Sequence, residues 1–359
     1  MPASIIGIMS GSSLDGLDIA QCRFEEANGV LTWDILNATT ISFPEHIAHA
    51  LKNAPTISGF DLMQLDADFG KFIGVEVNKW MDEHGIKIDC IASHGHTVFH
   101  EPAKGFTTQI GSGAHIAFET GIDTITSFRN ADVAAGGQGA PFAPIADKTL
   151  FPGFDGYLNL GGIANITLNT QDGNWHAWDI GPCNQALNFL SQLTGKPFDE
   201  DGKMAATGKI NNPIVSALLE MFPYNAGKPF GLSNAKVKST WINYLEGSKE
   251  NPVDLLASTS ETISQMIVQH ISPLVNKGGK ILVTGGGAHN VLLIQRIKTL
   301  AKELDFTIEI PAQVIIDFKE SLLMAYLGYL TMQGSPYGIK DVSGATTDSI
   351  GGALFKALR

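Results

Sequence analysis

The sequence predicts an α/β protein built from two similar domains, and three observations carry that prediction. The chain has 359 residues, enough for two domains with a core each. Two short three-strand meanders recur, each with a glycine-rich turn between its first and second strands and each followed by helices. A third glycine run, Gly285-Gly286-Gly287, follows another apolar strand. Were the domains to face each other, both glycine turns would point into one cleft and hold a polyphosphate from two sides.

Apolar content of 44% and charged content of 17% describe an ordinary globular chain. A net charge of −12 argues against nucleic acid or an anionic membrane as the main partner. An acidic chain of this kind still binds ATP when backbone amides, a metal and a few basic side chains build a local site. Cys22, Cys90 and Cys183 are far apart and odd in number, which fits reduced thiols in a reducing compartment. The first residues lack a basic segment followed by a long apolar one, and no run approaches a membrane span. These features predict a cytoplasmic protein.

The first meander is read at Ser4–Met9, Leu17–Phe24 and Leu31–Phe43, with the turn Ser10–Gly16 between its first two strands. Pro44 opens a short helix to about Asn53. Leu62, Leu65, Phe69, Phe72, Ile73, Val77 and Trp80 recur at threes and fours, so an amphipathic helix follows, ended by Gly85. Ile88–Ala92 reads as a buried strand running into Ser93-His94-Gly95-His96. A helix is expected over Ala114–Glu119 and a strand over Ile122–Ser127, with Arg129 just after it. Ala134–Pro141 is small and glycine-rich and reads as an interdomain connection.

The second meander is Tyr157–Leu160, Ile166–Leu168 and Trp175–Ile180, with a hairpin turn at Gln171-Asp172-Gly173-Asn174. Helices are expected at Asn184–Leu193, Pro213–Met221, Ser239–Leu245, Leu255–Val275, Val291–Leu304 and Phe318–Met332. Strands are expected at Lys280–Thr284 and Thr307–Ile310, and Thr346–Leu358 is read as a final short helix. The domains become 1–132 with about 335–359, and 133–334. Asp179 ends an apolar run and precedes Gly181-Pro182, which puts a lone carboxylate at a strand end. Such a carboxylate, beside a phosphate-sized glycine turn, points to phosphoryl transfer.

Several stretches together resemble the anhydro-N-acetylmuramic acid kinase family of the actin, Hsp70 and sugar-kinase superfamily. They are Gly7–Asp18, Ser93–His100, Gln109–Gly111, Phe128–Pro141, Asn159–Asn165, Asp179–Asn184, Asp199–Gly202 and Thr284–Asn290. The matches continue in order to Val342–Ala345, so nearly the whole chain is covered. Ile180, Cys183 and His96 stand where Thr, Gly and Gln are usual. The resemblance implies two actin-like (ribonuclease H-like) domains around a central nucleotide cleft. It also implies a small-molecule sugar substrate and a homodimer.

The implied reaction phosphorylates O6 of 1,6-anhydro-N-acetylmuramic acid with ATP while water opens the anhydro bridge, giving N-acetylmuramic acid 6-phosphate. Asp179 is then the base that activates the water; the alternative is a cap on the following helix. Gly11, Ser12, Ser13, Leu14, Asp15, Gly16, Leu17 and Asp18, with Gly161, Gly162 and Asn165, would hold phosphates through backbone amides. Taken alone, either turn reads as plain turn geometry. Gly285, Gly286 and Gly287 would pack against adenosine, or form only a tight strand-to-helix turn. Mg²⁺ is expected, with Asp15 and Asp18 as ligands directly or through water; both are also common turn residues.

Arg129 would fork onto a carboxylate such as the lactyl group of the sugar, and Glu320 would contact the sugar unless it only serves a helix N-terminus. His94, His96 and His100 read as a hydrogen-bonded loop rather than a metal site. Two rivals stand beside this reading: another sugar kinase of the superfamily without ring hydrolysis, and a non-enzymatic actin-like nucleotide-binding protein.

Overall fold

The computed structural model describes residues 2–357 apart from 12–13, 15, 141 and 224–230. Its strands are β1 (Ala3–Ser10), β2 (Gly16–Ala27), β3 (Val30–Ser42), β4 (Cys90–Ser93), β5 (His96–Glu101), β6 (Phe106–Ile110) and β7 (Thr124–Thr126). Then come β8 (Gly156–Leu160), β9 (Ile163–Asn169), β10 (Trp175–Pro182), β11 (Gly279–Thr284), β12 (Phe306–Glu309) and β13 (Ala353–Phe355). The chain divides into two compact units, Met1–Leu150 with Phe318–Arg359, and Phe151–Asp317.

The sheet of the first unit runs β13-β7-β4-β1-β2-β3, with β2 antiparallel to β1 and β3, and β4 parallel to β1. The sheet of the second unit runs β10-β9-β8-β11-β12, with β9 antiparallel to both neighbours and β11 parallel to β8. Counted in chain order, both carry the order 3-2-1-4-5 with only the second strand reversed. This is the ribonuclease H-like arrangement, present twice, as in actin-like proteins. The first sheet adds β13 beyond β7.

Alternation decides which strand faces are buried. In the first unit Ile6, Ile8, Leu17 and Ile19 pack against Phe69, Ile73 and Val77 of the helix Gly59–His84. Ser58 caps that helix by accepting from the Asp61 N–H, and Gly85 ends it at φ 62°. In the second unit Leu158, Leu160, Ile166, Trp178 and Ile180 pack against the helices Asn184–Gln192 and Pro252–Ile271. Each face removes several large apolar side chains from water, the main favourable term of folding.

Three expectations are corrected. The stretch Thr346–Leu358 is not a helix: its described part contains β13, antiparallel to β7. Gly352 lies at φ +85°, and a Cβ on Gly351 would sit 2.5 Å from the Phe128 carbonyl oxygen, so neither residue fits a regular turn of helix there. The glycine-rich stretch after Arg129 belongs inside the first unit, and the division of the chain falls at Leu150/Phe151 instead. Asp132 causes this: its carboxylate accepts from the Gly139 N–H at 2.7 Å and from the Ser343 hydroxyl at 2.6 Å, folding the stretch onto the C-terminal segment. The second seam falls at Asp317/Phe318, not near 335, so Phe318–Gln333 belongs to the first unit. The β5–β6 hairpin and the helix Ala143–Leu150 add to the elements expected from sequence.

Candidate functional site

In the second unit the residues singled out by sequence converge on one end of the sheet. Asn165 of β9 stands opposite Asn159 of β8 on one side and opposite Asp179 of β10 on the other. Directly opposed residues of antiparallel strands share a face, so the three polar side chains form a row. All three are half-buried, whereas their chain neighbours Leu158, Leu160, Ala164, Ile166, Trp178 and Ile180 are buried. A register shift between Asp179 and Gly181 marks a bulge immediately after the carboxylate.

Asp179 does not cap the helix that follows it. Cys183 holds the N-cap position of Asn184–Gln192 without a side-chain bond, and Asp179 Oδ2 instead accepts from the Leu232 N–H at 2.6 Å. Desolvation raises the Asp179 carboxyl above its ordinary value, and the Leu232 amide offsets part of that rise.

Gly161 and Gly162 form the turn between β8 and β9. Their carbonyls accept from the N–H groups of Asn184, Cys183 and Gln185, at 3.1, 2.9 and 3.2 Å. The start of that helix is thereby spent on the turn, and its first amides are not free for a ligand. The Asn184 Nδ2 donates to the Leu160 carbonyl at 2.8 Å and fastens helix to turn. Gly285, at φ +83°, and Gly287 press against Leu160 so closely that a Cβ on Gly287 would lie 2.7 Å from the Leu160 Cβ. The two glycine loops are thus adjacent. Beside Gly286 and Gly287 opens a pocket of about 510 Å³ walled by Asn184, Leu187, Asp199 and Asn290. That volume suits a nucleoside.

Asp199 builds one wall by accepting from the N–H groups of Met204 and Ala205 at 2.8 and 2.9 Å. At the rim His289 and Asp317 meet at 2.6 Å. Sequence reasoning missed both Asn184 and this pair. The signal available is only an Asn after Cys183 and a His after a glycine triplet, which is too common to act on.

In the first unit Gly11, Leu14, Gly16, Leu17 and Asp18 are described, and Ser12, Ser13 and Asp15 lie outside the described residues. Leu14 takes the left-handed conformation at φ 59°. Leu17 is a core side chain, so only its backbone is available to a ligand. Asp18 Oδ1 accepts from the Thr40 hydroxyl at 2.6 Å, and its carbonyl accepts from the Ser321 hydroxyl. That second bond seats the residue after Glu320 against the strand bearing Asp18. No group of three His, Cys, Asp or Glu side chains arranged for a metal occurs among the described residues, and the three histidines form none.

Arg129 Nε donates to His94 Nε2 at 3.0 Å and Nη1 donates to the Gly139 carbonyl at 2.8 Å, while the guanidinium lies over the Phe142 ring. Burial and the Arg129 charge push the His94 pKa down to about 4. Glu320 keeps surface open to solvent, yet the protein packed around its carboxyl raises its pKa. Asp18 adds to that rise, and Lys319 and Arg129 oppose it.

A duplicated ribonuclease H-like sheet whose strand ends carry glycine turns and a desolvated carboxylate is the build of a nucleotide-dependent phosphotransferase. Residues 3–357 match the family described as anhydro-N-acetylmuramic acid kinase, and the chain belongs to that family. Among curated relatives, the anhydro-N-acetylmuramic acid kinase of Xanthomonas campestris pv. campestris (strain 8004) is 32% identical over 98% of this chain and 97% of its own. That of Shewanella amazonensis is 34% identical over 98% of both chains, and that of Hydrogenovibrio crunogenus 30% identical over 98% and 97%. The protein is a sugar kinase, a phosphotransferase with an alcohol group as acceptor.

Proposed function

We propose that this kinase phosphorylates O6 of 1,6-anhydro-N-acetylmuramic acid with ATP while water opens the anhydro bridge, giving N-acetylmuramic acid 6-phosphate for cell-wall recycling. The observation that supports this best is the Asp179 carboxylate, half-buried beside Asn165 and held by the Leu232 amide rather than by a helix start. A carboxyl raised above its ordinary value is a stronger base than a free one.

Asp179 takes a proton from the water, whose oxygen bonds to C1. The C1–O6 bond breaks as O6 accepts the γ-phosphoryl group, and ADP leaves. The amides around Gly161–Asn165 and Gly11–Asp18 bind phosphate, and the Gly285–Gly287 turn packs against adenosine through Gly286 and Gly287, which line the pocket of about 510 Å³. With two of its nitrogens spent on His94 and Gly139, Arg129 offers its Nη2 edge to the lactyl carboxylate, and Glu320 accepts from a sugar hydroxyl.

The donor set suits Mg²⁺, which asks for one or two carboxylates together with phosphate oxygens and water. Asp18 would hold it, with Asp15 as the second carboxylate. When bound it neutralises charge on the transferring group. The compartment we propose is the cytoplasm, supported by Cys22, Cys90 and Cys183, all buried as free thiols. No helix among the described residues is long and apolar enough to cross a membrane. We further propose a homodimer, which sedimentation velocity tests.

The deciding experiment incubates the protein with ATP, Mg²⁺ and the anhydro sugar in ¹⁸O-labelled water and weighs the product. Hydrolytic phosphorylation yields a sugar phosphate carrying one solvent oxygen at C1. A phosphorylated sugar with its anhydro ring intact would overturn the hydrolytic reading and favour the simple kinase.

A further inference from the structure

Glu320 stands between two anchors, one on each of its chain neighbours. The Lys319 ammonium lies 2.8 Å from Asp147 Oδ1, and the Ser321 hydroxyl donates to the Asp18 carbonyl at 3.0 Å. Lys319 and Ser321 both follow Phe318, whose φ −120° and ψ 19° interrupt the helix Gln313–Gln333. The turn that carries Glu320 is therefore the first after a break, where a helix has fewest restraints of its own.

The two anchors differ in kind. On the Ser321 side the fit is steric as well. A Cβ on Gly7 would collide with the Ser321 carbonyl oxygen and lie 2.7 Å from the Ala325 nitrogen, so this helix rests directly on β1. On the Lys319 side the anchor is a charge. Asp147 is 4% exposed and belongs to the helix Ala143–Leu150, which buries Ala146 and Leu150. That helix is fastened to β3, where the Trp33 Nε1 donates to the Leu150 carbonyl at 2.7 Å. All of these residues lie in the first unit.

Stability does not account for the ion pair. Taking two charges out of water costs about as much as their attraction returns, and apolar side chains of similar volume would fill the space as well. What the pair adds is direction: the ammonium must meet one carboxylate, which fixes the path of the lysine and the turn it leaves. Desolvation raises the Asp147 carboxyl above its ordinary value and the Lys319 charge opposes that rise, so the carboxylate leans on this partner.

We propose that Asp147 is a positioning residue for the kinase reaction, holding Lys319 so that the turn between Phe318 and Ser321 presents Glu320 to a sugar hydroxyl. Its carboxylate is buried against Lys319, so it acts through Glu320 and not on the substrate. This role rests on the reading of Glu320 as a sugar contact.

The test is steady-state kinetics of the full chain with ATP and 1,6-anhydro-N-acetylmuramic acid. Asp147→Asn should raise the KM for the sugar severalfold and leave kcat and the KM for ATP within about twofold of the unaltered enzyme. Asp147→Leu combined with Lys319→Met removes the pair without burying an unpaired charge. This double variant should melt near the unaltered protein yet show the same raised KM, and it carries the test if Asp147→Asn folds poorly. In a Glu320→Gln background, Asp147→Asn should add less than about twofold to the KM, because its effect passes through Glu320. An unchanged KM in Asp147→Asn, a normal KM in the apolar double variant, or effects of Asp147→Asn and Glu320→Gln that multiply would each overturn the role of Asp147. Glu320→Gln with an unchanged KM for the sugar would instead overturn the sugar contact itself, and this role with it.

Discussion

Asp179 lies directly opposite Asn165 in the register of β9 and β10. Opposed side chains sit about 5 Å apart at Cβ, close enough that the charge of one sets the protonation of the other. Asn165→Asp should therefore raise the Asp179 carboxyl further and carry the acid limb of the kcat–pH profile to higher pH. It should also destabilise the fold by roughly 0.2–1 kcal/mol through like-charge opposition. An unmoved acid limb would separate the limb from Asp179.

Asp179→Asn keeps an oxygen to accept from Leu232, so the strand end should hold its shape. Nucleotide binding by calorimetry should persist while turnover falls by at least about 10²-fold, the contribution a positioned general base supplies. Normal turnover in this variant would place the base elsewhere.

His94 is neutral with its proton on Nδ1, because Nε2 accepts from Arg129 while Nδ1 faces the Gly95 carbonyl at 3.0 Å. Its pKa of about 4 lies below the unfolded value of 6.5, so between these values the unfolded chain binds more protons. Stability should fall as pH drops through this window, by about 3 kcal/mol from this residue when fully expressed. His270, also lowered to about 4, acts in the same window in the second unit. Urea midpoints measured across the window should show a shallower slope for His94→Gln than for the unaltered chain.

Gly285 combines φ +83° with a position where a Cβ would lie 2.9 Å from the Leu160 carbonyl carbon. Gly285→Ala should lose more than about 1 kcal/mol of stability, since the backbone angle and the contact are both unfavourable. The melting temperature and ATP affinity should drop together, because Leu160 leads into the Gly161–Gly162 turn.

Asp132→Ala takes the side-chain acceptor from the Gly139 amide and leaves the Ser343 hydroxyl only its longer bond to the Ile339 carbonyl at 3.3 Å. The expected loss is about 1–3 kcal/mol. Hydrogen exchange should quicken at Gly139 and its neighbours and at 343–346, while the second unit stays protected. Equal exchange in both variants of the chain would remove Asp132 from its role as the clasp.

Elements with strong local signals are legible in the amino-acid sequence itself. The helix over Leu62–Trp80 carries apolar residues at helical spacing and a Gly85 stop, and it forms between Gly59 and His84. Both meanders form where alternation and turn residues place them. Asp179 stands out because a carboxylate at the end of an apolar strand is unusual. Its partner at Leu232 is invisible in the sequence, since nothing local links positions so far apart in the chain.

What the sequence alone determined is the period and punctuation of each segment: which residues alternate, which recur at helical spacing, and where glycine permits a turn. Tertiary structure alone decided that the stretch around Gly351–Gly352 packs on Tyr337 and Phe128 and emerges as β13 against β7. It likewise chose Asp132 to draw the glycine-rich stretch into the first unit, and it lined up Asn159, Asn165 and Asp179 in one row. The physical reason is range. Backbone sterics and side-chain period act over a few residues, whereas an edge strand's pairing and a buried carboxylate's donors are settled by whichever distant group the packing brings near.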